Sequence, residues 1–228
     1  MPRRGTAGRR FCLAVATAAF GAMTYAAIAL AASDTIATAG PASEYSQPTY
    51  NTDQGAVVSF QNQGVTHNVT ARQKGPDGKA LFRTPTFSNG TLSVGGTQYL
   101  PAGDYAFFCT VHPTTMNATL HVTGAGTPQA RPSGTAKLKT KTISKAVKKG
   151  LLVAVTASTQ VNGATVTAKL GKASLGKKTT SLSSGAQNVK LKLNKAGKSK
   201  LGNKSSAKVT VTVDIPFGAP ATAKAKLK

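Results

Sequence analysis

A thiol, an imidazole and a thioether lie within eight residues of one another at Cys109, His112 and Met116. They follow directly after a predicted strand, 104–108, so a loop at the end of that strand can turn all three side chains inward. His67 lies 42 residues upstream of Cys109 on a separate predicted strand. Because a β-sandwich can bring two such strand ends together, these four side chains predict a metal site.

Each of the four residues also has a simpler interpretation. Met116 alone would fill a hydrophobic core, His112 would be a surface residue, and His67 would be a hydrogen-bonded strand residue. Cys109 alone would be an inert buried thiol. However, the pattern contains two of the three histidines of the chain and the only sulfur side chains outside residues 1–32. This concentration favours a site over coincidence.

The donor types distinguish between metals. Zinc in proteins takes thiolate, imidazole and carboxylate donors and seldom uses thioether sulfur, whereas copper accepts it. Two imidazoles and a thiolate in a trigonal plane, with a weak axial Met, form the donor set of electron-transfer copper sites. Such a set suits both Cu(I) and Cu(II), so little has to move when one electron arrives. The sequence therefore predicts one copper ion as the cofactor.

The segments 66–69 and 105–113, together with Met116, resemble the plastocyanin and azurin type of cupredoxin, and the likeness covers roughly residues 54–122. The resemblance implies a Greek-key β-sandwich and an electron carrier that transforms no substrate, not an enzyme. It implies the copper ligands His67, Cys109, His112 and Met116.

The resemblance also implies which residues support the ligands. Asn68 would tie the His67 loop to the Cys109 loop by hydrogen bonds. Phe108 and Pro113 would lie next to the ligands, with His112 as the port through which an electron enters. Copper sequestration or delivery would use the same ligands, so that alternative function stays open.

The loop length, Ala118 and His121 bear on which residues bind the metal and how. Three residues separate His112 from Met116, a loop length intermediate within the family, and Ala118 stands where Gly commonly follows the Met. His121 alternates with apolar neighbours, so we expect it to face solvent and not to bind the metal. The chain has three histidines and offers no second histidine cluster for a catalytic copper, which argues against an oxidase or a nitrite-reducing enzyme.

Charge divides the chain into two parts. The chain has 29 Lys and Arg against 6 Asp and Glu, a formal charge of +23. Residues 33–123 carry five acids and four basic residues, whereas residues 135–228 carry 20 Lys and a single acid, Asp214. The segment 124–134 is rich in Gly, Pro and Ala. We therefore predict a cupredoxin-like domain at 33–123, a linker at 124–134 with nothing to bury, and a second domain at 135–228.

Alternating polar and apolar residues predict an all-β fold for both domains. In the first domain, Gly-rich turns separate the predicted strands, and their spacing is typical of an antiparallel sandwich. The predicted strands lie at 56–60, 66–71, 91–94, 105–109 and 119–123. The second domain resembles the Lys-rich immunoglobulin-like modules of exported actinobacterial proteins. Its five predicted strands lie at 136–141, 151–157, 164–170, 188–193 and 207–213.

The N-terminus predicts export. Four arginines and no acid lie within residues 1–10, and an unbroken apolar and small-residue stretch follows at 11–32. This is the pattern of a signal peptide, 1–32, that sends the protein to the periplasm, the cell envelope or the extracellular space. The alternative is that 11–32 stays uncut as a membrane anchor, since a span needs ~20 apolar residues.

The lysines predict anionic partners. In an exported protein the available polyanions are cell-envelope polymers and anionic lipid surfaces. Nucleic acid is not an expected partner, because the lysines alternate with Leu, Val and Thr instead of stacking aromatics. The alternative is a solvated sandwich face with no ligand. For the copper site, the expected partner is a redox protein or a copper donor.

Overall fold

The structure is a computed structural model that describes residues 33–40 and 42–228. The predicted signal peptide, 1–32, and the alternative membrane anchor, 11–32, lie outside the described residues. Within the described ranges, no helix is long and apolar enough to span a membrane. In the same ranges, fourteen strands in four sheets accompany two α-helices of seven and eight residues, so the all-β prediction is confirmed.

Two sheets enclose the hydrophobic core of the first half. One sheet has the order β1-β3-β5 and the other the order β2-β7-β6-β4. The strands are β1 Thr35–Ala37, β2 Thr49–Gln54, β3 Ser59–Asn62, β4 Thr70–Ala71, β5 Gly90–Ser93, β6 Gly103–Phe108 and β7 Asn117–Gly126. A short 3-10 helix, Thr97–Tyr99, precedes β6.

The prediction of an antiparallel sandwich is only partly right. β6 pairs antiparallel with β4 and β7, and β3 pairs antiparallel with β5. In contrast, β1 runs parallel to β3, and β2 runs parallel to β7. The physical reason is that the chain alternates between the sheets from β1 to β3. Neighbouring strands within a sheet are then not consecutive in sequence and need no hairpin between them.

An aromatic core supports the end of β6 from which the Cys109 loop begins. Tyr105, Phe107 and Cys109 alternate inward along this strand. The ring of Phe107 is fully buried and meets Tyr45 edge to face, with ring centroids 4.9 Å apart. Burying a Phe side chain fully contributes ~1.5–3 kcal/mol to the stability of the fold relative to leaving it exposed. The packing of Phe107 therefore holds this end of β6 in place.

The second half has its own hydrophobic core, formed by residues from Leu138 to Leu227. One sheet has the order β12-β9-β8 and the other β11-β10-β13-β14, and all pairs are antiparallel. The strands are β8 Gly134–Leu138, β9 Leu151–Ala157, β10 Val161–Leu170, β11 Ala173–Leu182, β12 Gly185–Leu191, β13 Ala207–Asp214 and β14 Ala221–Leu227. The immunoglobulin-like assignment stays a prediction.

The sequence prediction for this half misses two strands and two helices. β11 lacks the clean polar and apolar alternation that a single wet face produces. β14 does alternate, but its inward residues are mostly Ala, which is depleted in strands and gives a weak strand signal. The helices α1 Ile143–Lys149 and α2 Lys195–Gly202 are short and Lys-rich, so they show no wide apolar stripe. Their N-termini are fixed locally, because side-chain oxygens of Thr142 and Asn194 accept backbone N–H groups of the first turn.

The predicted linker has more contacts than expected. Its first three residues continue β7 to Gly126, and Gln129 N–H donates to Gln98 O at 2.8 Å. Pro132 is buried, and the Arg131 guanidinium packs over the Tyr99 ring, 5.5 Å from its centroid. The expectation of a segment with nothing to bury is therefore wrong, while the domain boundaries stay a prediction.

Phe217 joins the second half to the first. Its ring lies against Gly95 and Gly96, where a Cβ on Gly95 would meet the ring at 2.8 Å. The Arg83 guanidinium lies over the same ring, 4.3 Å from its centroid. Asp77 accepts the Phe217 N–H at 3.0 Å and pairs with Arg83 at 2.7 Å. This contact requires glycine at the site that receives the ring.

Candidate metal centre

His67 is held at the edge of the first core by backbone hydrogen bonds. His67 and Phe87 exchange N–H···O bonds in both directions, each 3.1 Å long. Asn62 Nδ2 donates to Phe87 O and Val65 O, which fixes the turn that leads into His67. The His67 side chain is fully buried. Its position is therefore set by the surrounding backbone and not by solvent-exposed loops.

The loop from Cys109 to Met116 is closed on itself. Cys109 N–H donates to Met116 O, His112 N–H to Cys109 O, and Met116 N–H to His112 O, at 3.0, 3.2 and 3.0 Å. Cys109 and Met116 are fully buried in the same core, whereas His112 is half-buried. The loop thus brings two sulfur side chains and one imidazole to one end of the sandwich.

The structure brings His67, Cys109 and His112 together. Cys109 Sγ lies 3.8 Å from His67 Nδ1 and 3.9 Å from His112 Nδ1. Candidate ligand atoms of the three residues all lie within 4.8 Å of one another, so they could hold one metal ion. The two imidazole rings are 4.9 Å apart, centroid to centroid.

These separations fit a shared ion. First-row metals bind imidazole nitrogen at ~2.0–2.1 Å and thiolate at ~2.3 Å. A nitrogen and a sulfur at those distances are ~3.8 Å apart when they subtend the angle of a trigonal plane, and ~3.6 Å apart at a tetrahedral angle. The observed values of 3.8 and 3.9 Å lie close to these separations, so the thiolate and both imidazoles could share one ion. The chemistry of the donor set, with thioether sulfur beside it, fits copper better than zinc.

The electrostatics of the site keep His67 available as a ligand. Burial, and next the charge of neighbouring His112, lower the pKa of His67. A neutral imidazole has a free lone pair, which is the form that binds a metal. Its Nε2 is buried and has no hydrogen-bond partner among the described residues. Met116 is buried beside this group, but its role as fourth ligand stays a prediction.

Asn68 connects the two loops that carry the ligands. Its side chain accepts from Thr110 N–H at 2.8 Å and donates to Thr110 Oγ1 at 2.9 Å. The backbone carbonyl of Asn68 accepts a hydrogen bond from the Tyr45 hydroxyl at 2.7 Å. Burial, followed by the charges of Cys109 and Tyr50, raises the pKa of Tyr45, so this hydroxyl remains a donor.

No sequence pattern identifies Tyr45 or Thr110 as residues that support the site. A hydroxyl residue leaves no recognisable spacing signal, because it takes part only through the folded positions of distant strands.

Phe108 and Pro113 are next to the ligand residues in sequence, and His121 lies on β7. Phe108 points to the opposite face of β6 from Cys109 and packs under the Arg72 guanidinium, 4.7 Å from its ring centroid. That position does not favour a role next to the ligands. Pro113 is exposed, and its carbonyl accepts from Asn117 Nδ2 at 3.3 Å, which helps to shape the loop. His121 is exposed and pairs with Asp104 at 2.6 Å, away from the three-residue group.

No family model and no curated protein match this chain. Several solved structures are similar to part of it. Auracyanin A, a "blue" copper protein from the green thermophilic photosynthetic bacterium Chloroflexus aurantiacus, is 17% identical, with 40% of this chain and 97% of that chain covered and a TM-score of 0.32. A Cu(I) form of an amicyanin variant is 22% identical, with 40% and 81% covered and a TM-score of 0.32. A purple cupredoxin from Nitrosopumilus maritimus is 21% identical, with 40% and 100% covered and a TM-score of 0.31.

Proposed function

We propose that this chain is an exported type 1 (blue) copper protein that carries single electrons. The observation that carries the proposal is the near-equal separation of Cys109 Sγ from two imidazole nitrogens, at 3.8 and 3.9 Å. His67, Cys109 and His112 would hold the ion, and Met116 would supply a fourth, weaker sulfur donor. Bound copper supplies a one-electron couple between Cu(I) and Cu(II).

The protein's contribution is to keep the ligands fixed. His67, Cys109 and Met116 are fully buried, so water is excluded from most of the group. Backbone hydrogen bonds close the loop that carries two of them, and Asn68 ties that loop to His67. Ligands that are already held in place rearrange little when the charge of the site changes. A small rearrangement favours fast electron transfer.

His112 is the route by which an electron would reach the group. It is half-buried, whereas His67 is fully buried, so its outer ring edge is the accessible part of the ligand set. Val111 beside it is 45% exposed, and Val65 near His67 is 40% exposed. Exposed apolar side chains around a ligand favour close, short-lived contact with a partner protein.

Export is part of the proposal and depends on the sequence pattern of residues 1–32. Cys109 is a free, buried thiol. In an oxidising compartment an exposed thiol would be open to oxidation, whereas burial and metal binding protect it. This combination is consistent with an exported copper protein in which Cys109 has no disulfide partner among residues 33–40 and 42–228.

Electron transfer can be tested on the copper-loaded protein. We expect a reversible one-electron wave in voltammetry and rapid electron self-exchange between the Cu(I) and Cu(II) forms. The His112→Gly variant, given free imidazole to refill the position, should recover the couple. Rapid transfer of copper to a chelator without a reversible wave would contradict the carrier function and support copper delivery instead.

A further inference from the structure

A groove of about 400 Å³ runs across the outer face of the second half, between α1 and the sheet β12-β9-β8. Leu152, 40% exposed, lies on the central strand β9. Lys190 pairs with Leu152 on one side, and Lys139 N–H donates to Leu152 O on the other. We name this feature the lysine groove, and the lysines that line it are Lys139, Lys141, Lys145, Lys149 and Lys190.

Among residues 33–40 and 42–228, no acidic side chain neutralises the charge of the lysine groove. No acidic residue lines it. The only acid of residues 135–228, Asp214, lies in a different depression with Asp77 of the first half. Within residues 33–40 and 42–228, neither of the two ion pairs contains a lysine. Clustered like charges repel each other, so a bound polyanion would relieve an unfavourable arrangement.

The lysines lie on two sides of the groove, one on α1 and one beside β9, an arrangement that can contact a linear chain of negative charges. Lys145 and Lys149 are four residues apart on α1 and therefore project from one helix face, about 6 Å apart along the axis. Lys190 lies on β12 and Lys139 directly follows β8, so they flank β9 on its two sides, about 10 Å from each other. A second groove of about 350 Å³ continues from Lys149 and Lys190 past Lys192. Positive charge thus follows a line longer than a single anion.

We propose that the lysine groove binds a linear polymer of phosphate groups. Lys ammonium groups bind phosphate as point charges, so a flexible chain of phosphates can contact several of them at once. A planar lipid surface cannot enter a concave groove. A nucleic acid would lack stacking partners, because no aromatic side chain lines this groove. The proposal goes beyond electron transfer and does not depend on copper.

The test measures binding of the full chain, free of copper, to inorganic polyphosphate of defined length. In the groove variant, Lys139, Lys145, Lys149 and Lys190 are each replaced by Gln. The matched control replaces four exposed lysines outside the groove, Lys172, Lys178, Lys204 and Lys224. Both variants have the same net charge. Phosphatidylglycerol vesicles and duplex DNA serve as the other anionic surfaces, and each titration is repeated at several salt concentrations.

Each lysine near an anionic surface contributes about fivefold, so the loss of all four could weaken polyphosphate binding by up to ~600-fold, and we expect a loss of at least ~10-fold relative to the wild type. The control variant should stay within ~3-fold of the wild type. The dependence of log K on log salt should become shallower by ~0.7 for each phosphate that a lysine no longer neutralises.

Three outcomes would overturn the proposal. Equal weakening of both variants would mean that net charge alone attracts the polymer. Tighter binding of vesicles or DNA than of polyphosphate would assign the surface to a membrane or to nucleic acid. Absence of binding by the wild type at low salt would leave the lysines as a solvated face. Because copper is absent throughout, none of these outcomes bears on the metal site.

Discussion

Asn68 and Thr110 are joined by two hydrogen bonds that run in opposite directions, with Thr110 N–H and Asn68 Nδ2 as the donors. The two residues lie 42 positions apart, one beside His67 and the other beside Cys109. This pair fixes the distance between the segments that carry a nitrogen ligand and the sulfur ligand. The geometry of the site therefore depends on a residue that binds no metal.

Replacing Asn68 with Ala should weaken both the fold and the site. The variant leaves the Thr110 N–H without its acceptor, so we expect the free energy of unfolding to fall by ~1–3 kcal/mol in urea titrations. Copper should also leave the variant faster, as measured by transfer to a chelator. Asn188→Ala, at an exposed position on β12, is the control and should change neither quantity. Unchanged copper release in Asn68→Ala would contradict the positioning role.

Replacing Met116 with Leu should separate ligation from packing. Leu has a similar volume, so the metal-free protein should lose less than ~1.5 kcal/mol of stability. The thiolate and both imidazoles remain, and the visible colour should persist. The reduction potential should rise, because Cu(II) carries the higher charge and is destabilised more than Cu(I) when a donor is removed. An unchanged potential in voltammetry would show that Met116 only fills the core.

Asp77 should make the protein sensitive to acid. Burial opposes its ionisation, but hydrogen bonds from Phe217 N–H, Arg83 and Lys79 N–H outweigh burial and lower its pKa. A lowered folded-state pKa stabilises the protein above the unfolded value of ~3.9, and this contribution is lost as the pH falls through the lower folded-state value.

The Asp77→Asn variant should therefore be less stable than the wild type at pH 7, by ~1–2 kcal/mol, and should lose less stability between pH 5 and pH 2. Urea titrations across this range measure both differences. Asp214→Asn, at an exposed position, is the control. Parallel pH profiles for wild type and Asp77→Asn would contradict the assignment.

Phe217 should hold the two halves together. In Phe217→Ala, the Arg83 guanidinium no longer has a ring beneath it, and the depression at Gly95 and Gly96 is left open. We expect faster hydrogen exchange across residues 127–134, where Gln129 N–H is bonded to Gln98 O. Leu152→Ala removes an exposed apolar side chain elsewhere in the second half and should leave this segment unchanged. Equal exchange in wild type and Phe217→Ala would show that other residues hold the halves together.

The sequence identifies the candidate ligands because their residue types are rare in this chain. Cys109, Met116 and two of three histidines stand out against a background of Ala, Thr, Gly and Lys. Tyr45 and Thr110 could not be found in this way, since hydroxyl groups become partners only when distant strands meet. The same limit hides the Phe217 contact, which depends on Gly95 and Gly96 more than a hundred residues upstream.

Sequence patterns predict where strands lie better than they predict which strands pair. Alternation correctly places an inward Cys109 at the end of β6, but no local pattern shows that β2 runs parallel to β7 or that β1 runs parallel to β3. In the second half, the helices α1 and α2 form because Thr142 and Asn194 cap them and a buried residue anchors each. Segments this short carry too few residues for a helical period to appear.

The visible absorption spectrum of the protein reconstituted with cupric salt tests the metal site most directly. We predict an intense thiolate-to-copper band in the wild type, its disappearance in Cys109→Ser and in His67→Ala, and its retention in His121→Gln, the histidine that pairs with Asp104. A colourless wild type, or a band that survives in Cys109→Ser, would contradict convergence of these side chains on one copper ion.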